Sequence, residues 1–91
     1  MDSSASQETA EIAALRGRLL EIARSVVDLD WNKDGDATRL DEIGLESIDF
    51  LNVSMAIERA FRISLVDVHP DDLSTIGDIL RIVAERINAR K

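Results

Sequence analysis

Ile12, Leu15, Leu19, Ile22 and Val26 recur at spacings of three, four, three and four residues. A chain with that rhythm can bury one stripe of a helix and leave the other side in water. Arg16, Arg18, Glu21 and Arg24 fall mostly off the stripe. The spacing predicts a helix over about residues 8–27. The rhythm returns in Ile76, Ile79, Leu80, Val83 and Ile87, which predict a last helix ending near Asn88. Thr75, with Asp78 three residues on, resembles a capping box for that helix. Arg86, Arg90 and Lys91 lie near its end, where cations complement the helix dipole. Strict alternation, the mark of a half-buried strand, is sustained nowhere; ISLVDV at 63–68 is the one weak candidate.

The segment SIDFLNVSMAIERAF holds neither Gly nor Pro and predicts a helix from Ser47 to Ala60 or Phe61. At about 100° per residue, Phe50, Val53, Ile57 and Phe61 fall in one narrow sector. Ile48, Leu51 and Met55 fall in a second sector, turned well over a right angle from the first. One stripe packs the core. The other is covered by a neighbouring element or left exposed for a partner.

Between the first two helices lies DLDWNKDGDATRLDEIGLE at 28–46, with seven acids against two bases. A connection that long is uncommon in a compact domain and is usually functional. Leu29, Trp31, Leu40, Ile43 and Leu45 are its expected anchors. In the second connector, 62–74, Pro70 suits the first turn of a short helix through Asp71 and Asp72. The reading is all-α: a small antiparallel four-helix bundle of three long helices and one short one, with a long first loop. Residues 1–7 read as a flexible polar tail and 8–91 as one domain.

Composition narrows the function. Ninety-one residues allow one modest aliphatic core, with no room for a deep enclosed substrate pocket. A formal net charge of -7 disfavours nucleic acid and anionic lipid and favours protein partners with basic patches. Cysteine is absent, which removes disulfides, a thiolate nucleophile and zinc–thiolate sites. No apolar run approaches a membrane span, and the polar start MDSSASQETAE lacks the pattern of a signal peptide. A cytoplasmic monomer is expected.

The chemistry concentrates where the acidic loop meets the second helix: Leu40, Asp41, Glu42, Ile43, Gly44, Leu45, Glu46, Ser47, Ile48, Asp49. Ser47 is expected at or just inside the helix N-terminus, where free amides and the positive dipole end favour a phosphate ester. Gly44 permits a sharp turn before it. Glu46 and Asp49 flank the serine and could supply ligands to a divalent cation carried by a modifying enzyme. The plain alternative is that Ser47 is only an N-cap.

This stretch, IGLESID, resembles the attachment motif of acyl carrier proteins, usually L-G-x-D-S-L. The resemblance extends from about Glu8 to Asn88: an amphipathic first helix, a long loop, a helix opened by Ser, the phrase MAIERAF-x-I, a short third element and a Thr-capped last helix. It implies that Ser47 receives a 4′-phosphopantetheine arm from coenzyme A through a phosphopantetheinyl transferase. It implies that the arm's thiol carries acyl groups as thioesters to loading and processing enzymes, synthases and transferases among them. The chain itself would then be a carrier rather than an enzyme. Glu46, Ile48, Asp49, Leu51 and Met55 match the family's partner-facing positions, and Phe50, Val53, Ile57 and Phe61 its core or acyl-facing side.

Glu46 stands where the family has Asp, and Ile48 where it has Leu. Asn52 and Arg59 stand where acids are common, while Asp49 and Glu58 remain. These departures point toward a specialised carrier, of polyketide or another secondary pathway, rather than a standard fatty-acid one. An aminoacyl or peptidyl carrier is the nearest alternative.

A different class is raised by Asp30–Asp41, which resembles a twelve-residue EF-hand loop with oxygens at positions 1, 3 and 5 and Gly35 at 6. Asp41 at position 12 in place of Glu, Ala37 at position 8 and Gly44 soon after count against calcium binding. Enzyme motifs are missing. Ser47 lacks the following Gly of a nucleophile elbow, and His69, the one histidine, reads as a surface or capping residue. Paired Asp71 and Asp72 read as charge at a helix start, and Trp31 as a loop anchor.

Overall fold

A computed structural model describes residues 9–89, and the expected tail at 1–7 lies outside them. Helix α1 runs Ala10–Val26, α2 Ser47–Phe61 and α3 Ile76–Ala89, with three-residue 3₁₀ turns at Gly35–Ala37 and Pro70–Asp72. The fold is all-α, with no strand among the described residues. The segment 63–68 is irregular and ends in a turn, with Val68 N–H returning to the Leu65 carbonyl at 3.0 Å instead of pairing across a sheet. The fourth, short helix is a single 3₁₀ turn. Pro70 sets its start, and at Leu73 the backbone leaves helical angles (φ −121°, ψ 70°) so that this side chain can enter the core.

Leu19 and Ala23 of α1, Val53 and Ile57 of α2, and Ile76, Ile79, Leu80 and Val83 of α3 form that core. The α1 stripe is centred further along than its spacing implied, with Ile12, Leu15, Ile22 and Val26 packed at the margin. Burying an Ile or Leu stabilises the fold by about 1.5–3 kcal/mol each, so these side chains decide the packing. Thr9 caps α1, its hydroxyl accepting from Ile12 N–H at 3.1 Å. The expected box opens α3 in both directions. Asp78 N–H donates to the Thr75 hydroxyl at 3.1 Å, and Thr75 N–H donates to the Asp78 carboxylate at 3.2 Å. Burial acts to raise the Asp78 pKa, but the Ser74 and Thr75 amides and Arg81 outweigh it and hold the carboxyl below the ordinary value.

The long loop is fastened rather than loose. Trp31 is wholly buried and its indole donates to the Val27 carbonyl at 2.9 Å. Leu40 is buried, and Leu29, Ile43 and Leu45 pack against the core. Buried Thr38, which no local pattern marks out, accepts from Asp34 N–H at 2.8 Å and donates to the Gly35 carbonyl at 2.6 Å. Leu40 N–H to Ser74 (2.9 Å) and Ile76 N–H to the Thr38 carbonyl (3.1 Å) then stitch the loop to the start of α3. A β-carbon at Gly77 would lie 3.0 Å from the Asp36 carbonyl oxygen, so glycine there lets α3 approach the loop.

Candidate functional site

Gly44, with φ +89°, takes a left-handed conformation that other residues adopt only with strain. The chain reverses there, Leu45 N–H returns to the Leu40 carbonyl at 3.2 Å, and α2 begins two residues later. Glu46, not Ser47, is the N-cap, with φ −94° and ψ 166°. The Asp49 carboxylate accepts from Glu46 N–H at 3.3 Å. The plain N-cap reading of Ser47 is therefore corrected: the neighbouring acids do the capping, and Ser47 occupies the first helical position.

That placement leaves the serine exposed, and its hydroxyl makes no hydrogen bond among the described residues. The first-turn amides and the positive end of the dipole lie beside it. Below it runs a surface groove of about 730 Å³ between α2 and the 65–74 connector. Its walls include Leu45, Phe50, Leu51, Met55, Leu65 and Val68. At the mouth Arg39 donates to Asp41 at 3.2 Å and 3.3 Å, and that contact holds the Asp41 carboxyl below its ordinary range.

The two stripes of α2 separate as the wheel implied. Val53 and Ile57 are buried, while Phe50 and Phe61 are half-buried and packed against the core. Ile48, Leu51 and Met55 are exposed. The structure adds Val66, 88% exposed and also on the groove, which local sequence patterning does not single out.

The EF-hand comparison does not carry into three dimensions. Gly35 has the left-handed φ of +62°, but the Asp41 carboxylate at the twelfth position is taken by Arg39 at 3.2 Å and 3.3 Å. No group of three acidic, His or Cys side chains placed to hold a metal occurs among the described residues. His69 is an exposed cap, its Nδ1 accepting from Asp71 N–H at 3.2 Å.

The family model for the phosphopantetheine attachment site matches residues 17–87. An acyl carrier protein of Phenylobacterium zucineum (strain HLK1) is 32% identical over 76 residues, spanning 78% of this chain and 96% of that one. The chain belongs to the acyl carrier protein family. Another carrier, from Caulobacter vibrioides (strain NA1000 / CB15N), is 30% identical over 73 residues, or 75% of this chain and 94% of its own. A putative mitochondrial acyl carrier protein of Schizosaccharomyces pombe (strain 972 / ATCC 24843) is 32% identical over 54 residues, and there the chain spans about half of the relative's length (48%). No solved structure matches the chain significantly.

As a member of this family the carrier bears 4′-phosphopantetheine, covalently attached. The residues present fit such a group: an exposed primary hydroxyl without a competing partner, at the positive end of a fifteen-residue helix, above an apolar groove. No helix among the described residues is long and apolar enough to cross a membrane.

Proposed function

We propose that Ser47 is the residue on which the arm is built and that this carrier is non-catalytic, presenting acyl intermediates to the enzymes of fatty acid, polyketide or related biosynthesis. The observation that carries the reading is the serine's exposure at the first position of α2, with the capping taken over by Glu46 and Asp49. Attachment forms a bond from the Ser47 oxygen to the phosphorus of the pantetheine phosphate. The nucleotide portion of coenzyme A leaves and the hydroxyl proton is lost. The arm supplies a terminal thiol, which holds an acyl group as a thioester.

The chain's own residues supply position. Gly44 and the loop anchors fix where α2 starts, and α2 fixes the serine. Glu46, Ile48, Asp49, Leu51 and Met55 form the face offered to the transferase and to loading and processing enzymes. The direct test is to incubate the apo protein with coenzyme A, magnesium and a phosphopantetheinyl transferase of broad specificity, and to weigh it. Wild type should gain the mass of one arm and Ser47→Ala should not. An unchanged wild-type mass with several transferases, or a gain in Ser47→Ala, contradicts the assignment.

A further inference from the structure

Ile48, Asn52, Met55 and Arg59 follow one line down the exposed side of α2, at successive helical spacings of four, three and four residues. No carboxylate stands in that line. The two acids within α2 lie to either side of it and serve the fold: Asp49 accepts from Glu46 N–H, and Glu58 accepts from Leu65 N–H at 2.6 Å. Ile48 and Met55 are 58% and 44% exposed, and neighbouring Leu51 and Val66 widen the apolar strip across the groove. The line ends in a cation. Arg59 is exposed and forms no ion pair among the described residues; the same holds for Arg18, Arg24, Lys33 and Arg62, the last at the same end of α2, while Arg16, Arg39, Arg81 and Arg86 reach carboxylates. So a chain of net charge -7 sets the exposed large apolar side chains of its described residues in a strip with a positive end.

Resting on the carrier reading, we infer that the cognate partner enzyme has an apolar docking surface with an acidic patch facing Arg59, twelve residues and about 18 Å along the helix from Ser47, rather than a uniformly basic one. The apolar strip is covered on docking, and the charge at its end sets which partner is accepted, since rim charges govern encounter and reject like-charged surfaces. At this end of α2 the inference reverses the expectation from net charge, which favoured basic patches.

The probe is a phosphopantetheinyl transferase whose carrier-docking face is basic, acting on the apo protein. Arg59→Glu should raise its kcat/KM by about tenfold at low salt, Arg59→Gln by less, and the gain should shrink as salt screens the contact. A transferase form in which the basic residue opposite this end of α2 is replaced by Glu should reverse the order and prefer wild type. Circular dichroism and Tm of each variant separate this from a role for Arg59 at the helix dipole, which would lower stability without salt-dependent or partner-dependent rates. Should Arg59→Glu fail to fold, Arg59→Gln with the two transferase forms decides. Equal rates for wild type and variant on both forms, with the arm still attached, overturn this inference alone. No mass gain on wild type removes the attachment reading and this inference with it.

Discussion

Val53 and Ile57 are 3% and 2% exposed, while Leu51 and Met55, two positions before each, are 53% and 44% exposed. All four are aliphatic or thioether side chains on one helix, so composition cannot explain the contrast. Two residues along a helix is more than half a turn, and the core takes in only one side of α2, that of Phe50, Val53, Ile57 and Phe61. The inner face is held by packing, and the outer lies open along the groove. The hydrophobic effect therefore fixes α2 through half of its apolar residues and leaves the other half available for association.

Ile57→Ala should break the inner face most severely, at about 2–5 kcal/mol, because the surrounding helices cannot fully close the cavity. Denaturant unfolding measures it, and a loss near zero would erase the distinction between faces. Gly44→Ala touches neither face but strains the turn that starts α2. Open space surrounds that position, so the cost is backbone strain alone, about 1–2 kcal/mol, read by the same unfolding curve.

Asp36→Asn tests the loop that aims the helix. The hydrogen bond from Arg16 outweighs desolvation and, with the charge attraction, holds the Asp36 carboxyl below its ordinary value of 3.8. A depressed folded pKa adds stability that is whole above the unfolded carboxylate range and lost as pH falls through the folded value. Wild type should thus lose stability on acidification more steeply than Asp36→Asn. At neutral pH the difference should stay within about 1 kcal/mol, since the pair is partly exposed.

Leu51→Asp should change stability least, by about 0.5 kcal/mol or less, while lowering kcat/KM in partner assays. Loss of cooperative unfolding in Leu51→Asp would move that residue into the core and collapse the comparison.

Much of this contrast is legible in the amino-acid order alone. The run from Ser47 to Phe61 lacks Gly and Pro and carries two stripes, so its bounds and its two-sidedness follow from local spacing. The proposed attachment serine is legible as well, as the hydroxyl in IGLESID. Its cap is not, because Ser ordinarily outranks Glu as an N-cap, and Asp49 reaching back to Glu46 N–H reverses that preference here. Features that depend on distant partners stay hidden. Thr38 looks like an ordinary loop residue until its carbonyl meets Ile76 N–H. Glu58 looks like part of an acidic outer face until the connector folds back and Leu65 N–H takes it. Arg62 closes α2 in a left-handed conformation (φ 56°) where glycine would be the usual choice. The short third element is shorter than its sequence suggests, because Pro70 announces a start but nothing local announces how soon the chain must turn to bury Leu73.

The most direct measurement is the position of the arm within the chain. After modification, peptide fragmentation by mass spectrometry should place the added phosphopantetheine on the Ser47 oxygen and on no other hydroxyl. Finding it on another serine or threonine, Ser54 or Thr38 for example, would contradict the account.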